Sequence, residues 1–165
     1  MTAFPTSRIV AQAATLHFLV DGMCLCIMEA LKRMKDTKTK DNTGVILCTA
    51  STNGMEGHPF YTDYNASKAA IINLVRSVAL EHAPWIRCNC ICPGYVVTPL
   101  NEKFFIDEQG NETDYYRQQS KATSVRRLGT IEEIAGPVLA MCSDSFGYMT
   151  GTYILCDGGQ SIPAE

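Results

Sequence analysis

Tyr64-Asn65-Ala66-Ser67-Lys68 follows Ser51 and the apolar run Val45-Ile46-Leu47-Cys48, an order that can bring a hydroxyl, a phenol and an ammonium together. The run from Val45 to Cys48 comes directly after Gly44 and is continuously apolar, the pattern of a short parallel strand covered on both faces. The next stretch, Ser51 to Tyr61, holds Gly54, Gly57 and Pro59 and reads as a loop. From Tyr64 to His82 the apolar residues wrap most of a helical circumference, so this helix needs cover on two sides. One side is the sheet, and the other is a partner helix or a second subunit.

The same pattern extends outward. Met23 to Met34 reads as an amphipathic helix, with Cys24, Ile27, Met28, Leu31 and Met34 near helical spacing. Residues 35–43 are a charged, polar loop. Ile86 to Cys92 alternates and reads as a strand ended by Pro93-Gly94. Thr98 to Arg126 is long and weakly periodic, which in a compact domain marks a functional lid or a poorly ordered segment. Thr130 and Glu133 form a capping box that opens a helix from Ile131 to Cys142. Tyr153 to Cys156 is a last strand, closed by Asp157-Gly158-Gly159. Strands alternating with helices imply an α/β fold with a parallel sheet.

A chain of 165 residues, 46% hydrophobic and 19% charged, fits one globular domain. Its net charge of −3 gives no footprint for nucleic acid or for an anionic membrane surface. No apolar run approaches the roughly 18 residues of a membrane span, so no membrane partner is expected. The eight cysteines include no Cys-x-x-Cys pair, and the three histidines are scattered. They read as reduced core thiols of a cytoplasmic protein, and no metal site is expected.

Tyr64 and Lys68 stand four apart on a helix and share a face. A free phenol ionises near pH 10, so bringing one close to neutrality takes roughly 3–4 kcal/mol. An ammonium about 4 Å away supplies about 4 kcal/mol at an effective dielectric near 20. One lysine at this spacing is therefore sufficient to make a tyrosine a general acid/base. Ser51, at the carboxyl end of its strand, lies where ligands bind in open α/β sheets and can orient a carbonyl oxygen.

Ser51 with Tyr64-x-x-x-Lys68 resembles the active site of the short-chain dehydrogenase/reductase family. The resemblance continues through Pro93-Gly94-Tyr95-Val96-Val97-Thr98, Arg127-Leu128-Gly129, Glu132-Glu133-Ile134-Ala135, Ser143-Asp144, Thr150-Gly151 and Asp157-Gly158-Gly159. It runs from about Val20 to the end. It implies NAD(P)-dependent hydride transfer between an alcohol and a ketone or aldehyde, with NAD or NADP as cofactor and a small alcohol/carbonyl substrate. Tyr64 is then the acid/base and also a cofactor-binding residue, Lys68 the cation that assists it and holds the nicotinamide ribose, and Ser51 the residue that orients the carbonyl. Pro93, Gly94, Val96 and Thr98 line the nicotinamide side, with the backbone of Val96 meeting the carboxamide. Phe104, Phe105, Tyr115 and Tyr116 fall in the substrate lid, where lid packing is an equal reading.

The chain departs from the family pattern upstream. No Gly-x-x-x-Gly-x-Gly turn occurs in it, and Leu19 stands where the family usually has an asparagine. The expected fold is an incomplete Rossmann-like doubly wound parallel sheet, the C-terminal half with about three strands and flanking helices. Residues 1–16 have no assignment, and 17–165 form the catalytic half. The strand Val45–Cys48 is expected to leave an unpaired edge. The helices near 23–34 and 64–82 are expected to form a homo- or hetero-oligomer. The alternatives are a truncated, catalytically inactive homologue that acts as a dimerisation partner, and a shortened gene product with no stable fold.

Overall fold

The computed structural model describes residues 6–34 and 43–162. Its elements are α1 (Thr6–Met34), β1 (Gly44–Thr49), a 3-10 turn (Thr52–Gly54), α2 (Thr62–His82), β2 (Ile86–Pro93), α3 (Glu102–Phe105), α4 (Asp114–Lys121), α5 (Ile131–Cys142), a second 3-10 turn (Asp144–Phe146) and β3 (Tyr153–Cys156). The three strands form one parallel sheet in the order β1-β2-β3. The register pairs Gly44 with Ile86 and Cys90 with Tyr153. β2 is the centre, and β1 and β3 are edges among the described residues.

The alternation in β2 divides the molecule into layers. Ile86, Cys88, Cys90 and Cys92 join Ile46 and Cys48 of β1 in one core with Ile27 of α1 and Ile71, Val75 and Val78 of α2. Four of the eight cysteines, Cys48, Cys88, Cys90 and Cys92, are buried here as free thiols, whereas Cys26 and Cys142 are exposed. The opposite face of β2 carries Arg87 and Asn89 and meets α5. Arg87 is buried without a carboxylate beside it. Its guanidinium instead donates to the carbonyls of Met141, Ser143 and Met149, each at 3.3 Å. Two of those carbonyls lie at the end of α5, where helix carbonyls lack intrahelical partners. Asn89 donates to Met149 O and accepts from Thr152 N, fixing the approach to β3.

The capping box at Thr130 is formed as expected: its side chain accepts from Glu133 N while Glu133 accepts from Thr130 N. Pro137 lies inside α5 and cannot donate to the carbonyl of Glu133. The Cys156 thiol of β3 meets that carbonyl instead, at 3.4 Å.

Two expectations change. The first helix is much longer than Met23–Met34 and begins at Thr6. The sequence there holds Ala11, Ala13 and Ala14 without a clear stripe, and one glycine at 22 costs a helix only about 1 kcal/mol. Within it, the 21 residues Ala14–Met34 contain an 18-residue window with a mean hydropathy of 1.5, long and apolar enough to cross a membrane by length and composition. No apolar run of that length is visible in the sequence because His17, Asp21 and Glu29 interrupt it, yet they do not lower the mean enough to exclude a span. Core helices and signal sequences satisfy the same measure. Here Met23, Ala30, Leu31 and Met34 pack on the core, while Phe18 is 81% and Leu25 61% exposed.

Candidate active site

Ser51 follows β1 and caps the 3-10 turn, its Oγ accepting from Asn53 N at 3.2 Å. It is buried, and its hydroxyl hydrogen is left to donate. Gly54 sets how near this turn comes to α2. A Cβ at Gly54 would lie 2.8 Å from the carbonyl carbon and oxygen of Lys68. Only a residue without a side chain lets the turn reach that depth.

Tyr64 and Lys68 occupy successive turns near the start of α2. The Lys68 ammonium lies 5.4 Å from the centroid of the Tyr64 ring and donates to Thr49 O at 3.0 Å. Burial pushes the Lys68 ammonium below its usual range, and the nearby Cys92 thiol works in the opposite direction. Cys92 is itself lowered, chiefly by a hydrogen bond from Cys90 and also by Ser51 and Lys68. Two asparagines brace this end of the helix: Asn53 donates to Asn65 at 2.8 Å, and Asn65 donates to His58 O at 3.0 Å.

The loop after β2 forms the opposite wall. Gly94 N donates to Cys156 O, tying the loop to β3. A Cβ on Gly94 would fall 2.7 Å from Gln160 Oε1 and 2.8 Å from Asp157 Cβ, so glycine is required here too. Asn101 closes the loop from within, donating to Val96 O at 2.9 Å and accepting from Thr98 N at 2.7 Å.

Two cavities meet along Gly94, Tyr95 and Asn101. One, of about 340 Å³, is lined by Ser51, Tyr64, Tyr61, Asn53, Phe104, Phe105, Tyr115 and Gln160 among others. The other, of about 440 Å³, is lined by Pro93, Val96, Thr98, Ile131, Ile134 and Ala135. The structure thus brings Ser51 and Tyr64 to one cleft, with Lys68 behind Tyr64. It brings Pro93, Gly94, Val96 and Thr98 to the neighbouring cavity. In the lid, Phe105 stacks on Tyr115 with centroids 5.4 Å apart and planes 9° apart. Tyr116 packs edge-on against Phe105 rather than lining the cleft.

Asn53, Asn65, Asn101, Tyr61 and Gln160 were not found from the sequence. Their partners are distant backbone groups or residues in other elements, and nothing in local spacing marks them.

The second cavity suits a flat, weakly polar ring. Its walls are mostly aliphatic, with the polar groups of Thr98 and Asn101 at the loop. A nicotinamide fits that donor set. The pyrophosphate and adenosine of a dinucleotide have no Gly-x-x-x-Gly-x-Gly turn to lie on in these 165 residues.

Residues 8–161 match a family model described as enoyl-(acyl carrier protein) reductase. The oxidoreductase UcpA of Salmonella typhimurium is 38% identical over 130 residues, covering 76% of this chain and 48% of that protein. An L-rhamnose 1-dehydrogenase (NAD(P)(+)) of Azotobacter vinelandii is 30% identical over 141 residues, covering 85% and 52%. Among solved structures, a 4-hydroxyisoleucine dehydrogenase mutant complexed with NADH and succinate superposes with a TM-score of 0.80 at 26% identity, covering 91% of this chain and 59% of that one. The Thermoplasma acidophilum aldohexose dehydrogenase gives 0.67 at 31%, covering 74% and 50%. The chain spans about half the length of the curated relatives it matches.

Proposed function

The chain belongs to the short-chain dehydrogenase/reductase family, and on that premise we propose that it serves hydride transfer between a nicotinamide cofactor and an alcohol/carbonyl pair, with Tyr64 as the acid/base. The observation that carries this reading is the Lys68 ammonium beside the Tyr64 ring, with Tyr64 and Ser51 on one cleft.

A bound nicotinamide supplies or accepts the hydride, and Pro93, Gly94, Val96 and Thr98 are the residues that would hold its ring. The remaining work belongs to this chain. Ser51 Oγ is already an acceptor for Asn53 N, so its O–H is the group left to donate to a carbonyl oxygen and orient it. Tyr64 gives its phenolic proton to that oxygen in reduction and takes it back in oxidation. Lys68 offsets the negative charge on the phenolate. Its own hydrogen bond to Thr49 O keeps the ammonium at this position. Phe104, Phe105 and Tyr115 cover the cleft and exclude water from the proton path.

Titration of the purified full chain with NADH and NADPH, followed by turnover on a panel of ketones and alcohols, tests the reading. Tyr64→Phe is expected to lower turnover by about 10²–10⁴ while nucleotide still binds. A chain that neither binds nucleotide nor turns over any carbonyl sinks it.

The exposure of Phe18, Leu25 and Met28 on α1 and of Leu80 on α2 favours a second role. In it, these helices join a second copy or a full-length relative, as an oligomer or as a non-catalytic partner. Sedimentation of the wild-type chain against Leu25→Glu checks this, with dissociation expected for the variant and a monomeric wild type counting against it. Eight free cysteines support a cytoplasmic location, which cell fractionation would test.

A further inference from the structure

Gln160 lies in the turn after β3, far in sequence from Tyr64, yet it lines the same cleft. The turn is held on several sides. Asp157 accepts from Gly159 N at 2.9 Å and from both Ser161 N and Ser161 Oγ, and Gln160 N donates to Asp157 O at 3.1 Å. The carboxamide is fixed as well. Its Oε1 accepts from Tyr95 N at 3.2 Å. A backbone N–H can only donate, so the oxygen must be the atom facing Tyr95 and the NH₂ must face away. No hydrogen bond links that NH₂ to an acceptor among the described residues. Asn53 and Asn101, the other amides of the cleft, each already commit a donor to the protein. Gln160 therefore presents two uncommitted donors on a rigid support.

The rest of the wall narrows what they meet. No Asp, Glu, Lys, Arg or His lines the cleft. An ionised ligand would be desolvated there without a countercharge. Phe104, Phe105 and Tyr115 give the cleft aromatic lining, and the amides of Asn53, Asn101 and Gln160 with the hydroxyls of Ser51 and Tyr64 give it polar lining. Aromatic faces take the C–H surface of a ring while amides take its hydroxyls.

We propose that Gln160 determines substrate specificity, its side-chain NH₂ donating to a hydroxyl oxygen of an uncharged, polyhydroxylated small molecule seated against the aromatic wall. This rests on the reading of the cleft as the substrate's seat. The Tyr95 contact makes Gln160 a brace for the loop as well, and the test must separate the two.

Saturation-transfer NMR of the full chain with D-glucose, D-gluconate and cyclohexanol reads binding without requiring turnover. The wild type is expected to prefer glucose to both others. Gln160→Met is expected to weaken glucose about three- to tenfold, the range of one neutral hydrogen bond, and to leave cyclohexanol unchanged. If Gln160→Met does not fold, Gln160→Asn, whose carboxamide sits one methylene closer to the backbone, is expected to lose the same preference. An equal loss for glucose and cyclohexanol would assign Gln160 to bracing alone and overturn the proposal. Gluconate binding as well as glucose, or no preference in the wild type, would overturn it too. A chain that prefers glucose yet transfers no hydride would keep this inference and fail the oxidoreductase reading. Turnover of cyclohexanol with no glucose preference would do the reverse.

Discussion

The Lys68 ammonium stands 5.4 Å from the Tyr64 ring centroid and is anchored by a single protein hydrogen bond, to Thr49 O. It is a desolvated cation with no carboxylate to compensate it, so position and stability pull in opposite directions. Lys68→Met is expected to lower turnover at least a hundredfold. The same substitution should leave folding stability within about 1 kcal/mol of the wild type or above it, because a poorly compensated buried charge is replaced by apolar volume. The pH dependence has a definite sign. Burial lowers the folded-state value from 10.5, so in the window between the two values the unfolded chain binds the extra proton. Wild-type stability should therefore rise with pH as it approaches 10.5, and Lys68→Met should lose that rise in urea titrations.

Gly54→Ala tests how closely the Ser51 turn must approach α2. The added methyl meets backbone atoms of Lys68 at 2.8 Å, and backbone cannot swing aside as a side chain can. A loss of about 1–3 kcal/mol is expected from such overpacking. Turnover should fall as well, since the displaced turn carries Ser51. A variant as stable and as active as the wild type would refute the close contact.

Arg87 is the buried polar centre of the α5 side. Arg87→Leu removes the donor for Met141, Ser143 and Met149 carbonyls at once. Met149 O keeps its bond from Asn89 and Ser143 O its bond from Phe146 N, so the Met141 carbonyl is the acceptor left unpaired, at an expected cost of about 1–3 kcal/mol, read as a lower urea midpoint at unchanged slope. Arg87→Lys should recover only part of this, because an ammonium cannot span the same fork.

Glu133 links acid stability to the start of α5. The Arg127 guanidinium and the backbone of Thr130 hold its carboxyl down at about 2, against an ordinary 4.5. A lowered folded-state value means stability that is present above pH 4.5 and lost as the pH falls toward 2. Thermal melts across that window should show the decline, and Glu133→Gln should flatten it. Thr130→Ala, which breaks the other half of the box, should cost about 0.5–2 kcal/mol at neutral pH.

The sequence exposed what depends on neighbours in the chain. The three strands, α2 and α5 are legible because their apolar periods and the Thr130–Glu133 box are local. Tyr64 and Lys68 are legible because four residues is one helical turn. Ser51 is legible because it follows a strand that must end there. The length of α1 was missed because its first turns carry no stripe, and Thr6, Ser7, Ile9 and Val10 are not strong helix formers. Asn101, Gln160 and the bracing pair Asn53–Asn65 were missed because each acts on a group that only the fold brings near. Tyr116 lies one residue from Tyr115 yet turns away from the cleft, a distinction the spacing of two adjacent tyrosines cannot contain.

Every strand pairing in this sheet passes through β2, and each joins residues far apart in the chain: Gly44 to Ile86, and Cys90 to Tyr153. No hairpin exists among the described strands to form early and serve as a template. The nascent sheet must close one long loop around α2 and a second around the lid and α5 before either ladder stabilises it. Refolding should therefore be slow for a chain of this size, and governed by loop closure rather than by helix formation. Until β2 is in place, its apolar face of Ile86, Cys88, Cys90 and Cys92 and the bare edge of β1 stay open to other chains, so yield on refolding should fall steeply with concentration.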